Sequence, residues 1–172
     1  MKPPAPPGCW QPAYIGVGSN LRDPLQQVQN AFESLSALPE VRVVRRSRLY
    51  RSPPMGPPDQ PDYVNAVAAV LTRSPARMLL EALKSIERAQ GREAEPVRWG
   101  PRIIDLDLLV YGLHHVDEAG LTVPHRGIAE RDFVLRPLAD VSPLLEVPGL
   151  GRVSTLLARL PAGALQVIDG AH

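Results

Sequence analysis

Between Ile103 and Tyr111 the chain reads Ile-Ile-Asp-Leu-Asp-Leu-Leu-Val-Tyr, an apolar run broken only by Asp105 and Asp107. Side chains alternate along a β-strand, so the two carboxylates point the same way, about 7 Å apart. Ile104, Leu106, Leu108 and Val110 point the other way and can fill a core. Two acids beside a core repel each other and are costly unless positive charge sits between them. A hard divalent cation meets that need. Just before the strand, Arg98-Trp99-Gly100-Pro101-Arg102 sets two arginines and an aromatic on a Gly-Pro loop. An ion pair with a nearby Arg is the simpler account of an isolated Asp-Leu-Asp. Carboxylates for Mg²⁺ with arginines for phosphate oxygens are together the parts of phosphoryl-transfer chemistry.

At 172 residues the chain is long enough to bury a real core as one domain, expected over 13–172. It has no apolar run of bilayer-spanning length, so no membrane association is expected. Residues 1–12 are proline-rich, lack a signal-peptide pattern and read as a disordered tail. The single cysteine, Cys9, lies there. A disulfide framework and a thiolate metal site are therefore excluded, which fits a cytoplasmic protein. A net charge of +1 argues against a nucleic-acid partner. Seventeen of the nineteen basic residues are Arg, whose planar fork suits phosphate. A GC-rich genome produces the same enrichment.

Tyr14 to Gly18 reads as a first strand, with Ser19-Asn20 turning the chain. Asp23-Pro24 is an N-cap followed by a first-turn proline. Leu25, Val28, Phe32 and Leu35 keep helical spacing to about Leu38, and Pro39 ends the helix. Val41 to Tyr50 is expected as one strand. Ser52 to Pro61 is too proline-rich for a helix or a central strand, so a long stiffened loop is expected, of the kind that carries function. Tyr63 to Leu71 follows as a strand. Ser74-Pro75 opens a helix with Met78, Leu79, Ala82, Leu83 and Ile86 on one face, stopped at Gly91. After the Arg92–Pro101 loop and the acidic strand come short strands near His115-Val116 and Leu121–Val123. A short helix near Ala129–Leu135 and another over Ser154–Leu160 complete the chain. The order β-α-β-β-α-β predicts an α+β fold with a ferredoxin-like core, helices on one face of a mainly antiparallel sheet, and C-terminal additions.

Gly16-x-Gly18 lacks the further signals of a nucleotide loop and, taken alone, reads as a tight turn. Tyr63 and Asn65 share one strand face. An aromatic ring beside an amide suits a flat heterocycle with donor and acceptor edges, although a core tyrosine is the simpler account. His125, Arg131 and Phe133 bring a donor, a cation and an aromatic within nine residues. His114-His115 reads as a solvated turn, since no cysteine or third histidine joins it. Arg88, Arg92, Arg98 and Arg102 surround one loop beside Asp105 and Asp107, which favours a polyphosphate clamp over a solvated basic loop.

With these segments in place, the chain resembles the 6-hydroxymethyl-7,8-dihydropterin pyrophosphokinase family from about Ala13 to Pro148. Four stretches carry the resemblance: Tyr14-Ile15-Gly16-Val17-Gly18-Ser19-Asn20; Tyr50 to Pro57 with Gln60 to Asn65; Gly91-Arg92 with Arg98 to Asp107; and Val123-Pro124-His125 with Arg131 and Phe133. The resemblance implies a ferredoxin-like fold, ATP as co-substrate, two Mg²⁺ ions and transfer of a pyrophosphoryl group to the pterin hydroxymethyl with release of AMP. It implies that Asp105 and Asp107 hold both metals, that Arg92 and Arg102 clamp phosphates, and that His125 and Arg131 help bind the triphosphate. Glu87, Leu108 and Thr122 fall on the ATP side. Tyr63 and Phe133 would sandwich the pterin, Asn65 would read its edge, and Ser52, Pro53 and Met55 would line it. Trp99 would help close the loop. A monomer is expected.

The chain departs from the family pattern at three places. Ala94 and Gly120 stand where basic residues are common, and Arg126 stands where an aromatic often follows the histidine. The resemblance therefore assigns no phosphate contact to Ala94 or Gly120, and Arg126 is expected to substitute in part. Two other functions compete. A palm-like nucleotidyltransferase would also set two carboxylates on such a sheet but would release pyrophosphate. A non-catalytic ligand-binding paralogue is argued against by Asp105, Asp107, Arg92 and Arg102.

Overall fold

The computed structural model describes residues 8–92, 100–161 and 163–168. The elements run β1 (Gln11–Ser19), α1 (Pro24–Ala37), β2 (Val41–Arg46), β3 (Tyr50–Ser52), β4 (Tyr63–Thr72), α2 (Ala76–Ala89) and β5 (Asp105–Tyr111). The hairpin β6 (Val116–Glu118) and β7 (Leu121–Val123) follows, then a 3₁₀ turn (Ile128–Glu130) and α3 (Asp132–Val141). The hairpin β8 (Glu146–Val147) and β9 (Gly151–Arg152), then α4 (Val153–Arg159) and β10 (Gln166–Val167), close the order. The main sheet runs β10-β3-β4-β1-β5, with β2 also paired to β4, and every pairing is antiparallel. Strands β1, β2, β4 and β5 with α1 and α2 make the expected β-α-β-β-α-β core.

Helix α1 forms where local capping chemistry and periodicity agree, whereas no side chain among the described residues caps α2, α3 or α4. Asp23 accepts from Gln26 N at 3.3 Å and Pro24 opens α1, which buries Val28, Ala31, Phe32 and Leu35. Helix α2 buries Leu79, Leu83 and Ile86 against the same core. Each such side chain contributes about 1.5–3 kcal/mol by leaving water. The expectation of helices on one face holds for α1 and α2 only. Helices α3 and α4 bury Val134, Leu135, Leu138, Val153 and Leu156 in a second cluster with Val67, Leu109 and Val110.

Three further expectations are corrected. The strand expected over Val41 to Tyr50 is broken, because a bulge between Val43 and Arg45 shifts its register on β4. Beyond it Ser47 leaves the ladder: its N–H donates to Val67 O, and its hydroxyl accepts from Val67 N, both at 2.9 Å. Strand β5 also slips against β1, between Tyr14 and Ile15, so Leu109 is the extra residue. That slip turns Val110 into the second cluster, whereas Ile104, Leu106 and Leu108 stay in the first. Finally, β1 starts at Gln11 rather than Tyr14, so the described end of the expected tail is ordered. Gln11 and Pro12 pair with Thr72 and Leu71, and Trp10 lies beneath the guanidiniums of Arg42 and Arg73, at 4.3 and 4.6 Å.

Candidate active site

The central strand β1 carries no side chain at two consecutive positions on one face. In register, Gly18 lies between Asn65 of β4 and Asp105 of β5, and Gly16 between Val67 and Asp107. A Cβ at position 18 would stand 3.5 Å from Asn65 Oδ1, and one at position 16 would stand 3.4 Å from the Leu109 side chain. These glycines are strand floor, not the tight turn that the Gly-x-Gly pattern suggests. Above them opens a cavity of about 360 Å³. Ser52, Pro53 and Met55 of the proline loop form one wall, with Tyr63 and Asn65 of β4 beside them. Arg131 and Phe133 close the far side.

A second cavity, about 690 Å³, lies between α2 and the β6–β7 hairpin. Leu80, Lys84 and Glu87 come from α2, Leu108 from β5 and Thr122 from β7. Arg92, Asp105, Asp107 and His125 line both cavities and form the wall between them. Arg102 belongs to the first. Each site residue that the family resemblance implies therefore lines one or both cavities, except Trp99, whereas Arg88 of the expected clamp lines neither and donates to Ser85 Oγ. Trp99, Arg98 and Ala94 lie outside the described residues.

The helix stop places Arg92. Gly91 adopts φ +92°, a conformation glycine takes without a Cβ penalty. Gly91 N donates to Arg88 O and Arg92 N donates to Glu87 O, both at 3.0 Å. This fold-back sets Arg92 beside Glu87, and one Nη donates to both Glu87 Oε1 and Asp105 Oδ1. Asp105 Oδ1 also accepts from Arg102 Nη1 at 3.2 Å. Glu87 Oε1 accepts from Leu106 N at 2.7 Å, pinning α2 to β5. Burial raises the Glu87 carboxyl, opposed by the Leu106 N–H and by Arg92.

Among the described residues no arginine is bonded to Asp107 in this way, and the charges of Arg131 and Arg102 compensate it only in part. His125 Nε2, at 3.9 Å, is the cation-forming group beside it. Desolvation, then repulsion from Asp105 and Glu87, pushes its pKa well above the ordinary carboxylate range. Among the described residues, no cluster of three or more His, Cys, Asp or Glu side chains forms a complete metal cage. Two carboxylates facing open cavity nevertheless suit Mg²⁺, which commonly takes one or two carboxylates and completes its shell with water and phosphate oxygens. A cation there would also relieve the repulsion that raises Asp107.

His125 is positioned by its backbone. Its N–H donates to the carbonyl of bulged Leu109 at 2.9 Å, and its Nδ1 accepts from Gly127 N at 3.2 Å. Burial and the charge of Arg131 lower its pKa. A neutral imidazole accepting at Nδ1 carries its proton on Nε2, the nitrogen nearer Asp107.

The sequence reading missed Asn20 and Lys84, and misjudged Gly16 and Gly18. Asn20 is buried. Its Nδ2 donates to Pro61 O at 3.1 Å and its Oδ1 accepts from Arg102 N at 2.7 Å. The available signal was an amide directly after a strand and three residues before the helix cap at Asp23, in a place where it caps nothing. Asn65 is buried too, and donates to Ser52 Oγ at 2.9 Å.

Similarity to known proteins agrees with this geometry. A family model described as 7,8-dihydro-6-hydroxymethylpterin-pyrophosphokinase matches residues 14–143. The 2-amino-4-hydroxy-6-hydroxymethyldihydropteridine pyrophosphokinase of Pseudomonas aeruginosa is 45% identical over 161 residues, covering 94% of this chain and 99% of that protein. The like-named protein of Methylorubrum extorquens is 43% identical over 157 residues, covering 91% of this chain and 98% of its own. Among solved structures, a Plasmodium falciparum HPPK-DHPS triple mutant superposes with a TM-score of 0.72 at 14% identity. That match takes in 88% of this chain, which spans less than half, 44%, of the larger one. No described helix is long and apolar enough to cross a membrane. From strand register to shared wall, and from residue 14 to residue 143, the chain belongs to the 7,8-dihydro-6-hydroxymethylpterin-pyrophosphokinase family.

Proposed function

We propose that this chain transfers the pyrophosphoryl group of ATP to 6-hydroxymethyl-7,8-dihydropterin, giving the pterin diphosphate and AMP for folate biosynthesis. The observation that carries this reading is the wall of Arg92, Asp105, Asp107 and His125 between two cavities. A two-substrate transfer needs two pockets meeting over one set of charged groups. The first cavity takes the pterin, stacked between Tyr63 and Phe133, with Asn65 reading the ring edge and Ser52, Pro53 and Met55 lining the loop side. The second takes the nucleotide, with Leu108, Thr122 and Glu87 around it. Its phosphates reach toward Arg92, Arg102, His125 and Arg131, and Trp99, outside the described residues, is assigned to substrate binding by the family resemblance alone.

The hydroxymethyl oxygen attacks the β-phosphorus in line. A new O–P bond forms, the bond from the β-phosphorus to the α,β-bridging oxygen breaks, AMP leaves, and the hydroxyl proton passes to solvent. Asp105 and Asp107 would hold two Mg²⁺ ions, which would supply neutralisation of the triphosphate charge. Arg92 and Arg102 bind the oxygens that gain charge, and the Nε2–H of His125 donates to a phosphate oxygen. Among the described residues no side chain is placed as a general base, so positioning and electrostatics supply most of the rate. The protein acts as a monomer in the cytoplasm.

Incubation with ATP, Mg²⁺ and the dihydropterin alcohol, followed by chromatography of the nucleotide products, tests this reading. AMP formed in step with pterin diphosphate is the expected result. Release of inorganic pyrophosphate would mark a nucleotidyltransferase, and absence of turnover with intact binding would mark a non-catalytic paralogue.

A further inference from the structure

The hairpin wall of the second cavity contains a set of polar contacts that the proposed chemistry does not use. Asp117 Oδ1 accepts from the Thr122 hydroxyl at 3.2 Å and from Arg126 Nη2 at 3.3 Å. Asp117, Thr122 and Arg126 all line that cavity, beside Asp107 and His125. One carboxylate oxygen thus engages a hydroxyl and a guanidinium that an anionic ligand there would want for itself.

These contacts are not what holds the hairpin. Strands β6 and β7 pair through the backbone at Val116↔Val123, Asp117↔Thr122 and Glu118↔Leu121. Leu121 and Val123 are buried, and Arg77 ties Glu118 to the start of α2 at 2.8 Å. The side chains of Asp117 and Arg126 are each 77% exposed, where a lone ion pair contributes little to stability. A polyphosphate offers several charged oxygens and bidentate geometry to Arg, against a single carboxylate oxygen. The local charge balance sharpens the competition. Glu87, Asp105, Asp107, Asp117 and Glu118 line this cavity against Lys84, Arg92 and Arg126, so sequestering one cation matters.

We infer that Asp117 is an internal competitor for the nucleotide: it occupies Arg126 and Thr122 in the free protein, yields them to nucleoside triphosphate oxygens, and thereby weakens ATP binding. This rests on the assignment of the second cavity to ATP. It reverses the ordinary expectation for a side chain lining a binding site, because removing its charge should improve binding.

The test is titration calorimetry with a nonhydrolysable ATP analogue and Mg²⁺ on the unaltered chain, Asp117→Asn, Arg126→Ala and the double variant. Asp117→Asn should tighten binding about two- to fivefold. Arg126→Ala should weaken it roughly tenfold. In the Arg126→Ala background, Asp117→Asn should change nothing. Unchanged or weaker binding by Asp117→Asn would overturn the inference. So would equal tightening in the Arg126→Ala background, since only overall charge would then be acting. Failure of the unaltered chain to bind the analogue would instead overturn the ATP assignment itself, and this inference with it.

Discussion

Asn20 holds Arg102 by both backbone polar groups: its Oδ1 accepts from Arg102 N at 2.7 Å and its own N–H donates to Arg102 O at 3.0 Å. With Nδ2 on Pro61, one buried amide joins the end of the proline loop to the segment entering β5. Asn20→Ala removes the side-chain partners of two part-buried backbone groups and should destabilise the fold by about 1 kcal/mol in urea. It should also lower kcat, since the loops on either side of the first cavity lose their common anchor. Asn20→Asp keeps the acceptor for Arg102 but sets a buried carboxylate oxygen against Pro61 O, so it should destabilise the fold at least as much.

Asp107 is the less compensated of the two strand acids, and its loss should separate chemistry from pterin binding. Asp107→Ala should reduce turnover by roughly 10²–10³-fold or more, while a fluorescent pterin analogue still binds. Chelation of Mg²⁺ in the unaltered enzyme should do the same. Near-normal turnover in Asp107→Ala would remove this residue from the reaction.

The floor glycine gives a graded test. A Cβ at position 18 meets Asn65 Oδ1 at 3.5 Å and Tyr63 Cδ1 at 4.0 Å, which is ordinary contact. Gly18→Ala should therefore remain active, with a modest rise in the pterin KM. Gly18→Val pushes branched carbons into the cavity and should raise the pterin KM at least about tenfold, as overpacking in a filled site does. Nucleotide binding should be little changed. Equal losses for both substrates would instead indicate a collapsed sheet.

Stability should depend on pH through Asp140, which accepts from Arg48 and Tyr50. Burial alone would raise the Asp140 carboxyl, but hydrogen bonds from Arg48 and Tyr50 and the Arg48 charge outweigh it and hold the pKa below normal. A depressed carboxyl contributes stability above its unfolded pKa, about 4, and loses it as pH falls through the folded value. Tyr50 runs oppositely. Burial and Asp140 push its hydroxyl up to about 12, so its contribution is intact below about pH 10 and lost as pH rises through that value. Asp140→Asn should flatten both limbs of a melting-temperature profile: the acid one because no depressed carboxyl remains, and the alkaline one because Tyr50 loses a carboxylate that raises its pKa.

Much of this arrangement was legible in the residues. The alternation around Asp105 and Asp107, the Asp23-Pro24 and Gly91 helix signals and the proline loop were local patterns, and each maps to its element. Slips of register were not legible. The bulge at Leu109, which turns Val110 away and offers its carbonyl to His125, depends on the partner strand rather than on β5 itself. The break at Ser47 is likewise set by β4. Gly16 and Gly18 were misjudged because a glycine pair carries no sign of whether it bends a chain or clears space beneath a cavity. Asn20 escaped notice because its partners lie 41 and 82 residues away.

The seat of β1 between β4 and β5 governs how the molecule assembles as well as what it binds. Gly18 brings together Asn65 and Asp105, groups separated by long stretches of chain whose closure is entropically slow. The first cavity draws residues from β1, β4 and β5, so it is complete only when these strands are paired, and a ligand that binds only the folded chain stabilises it by mass action. Saturating nucleotide at a hundred times its Kd should then shift the whole unfolding equilibrium by about 2.7 kcal/mol, which makes ligand supply a determinant of how long the protein survives proteolysis.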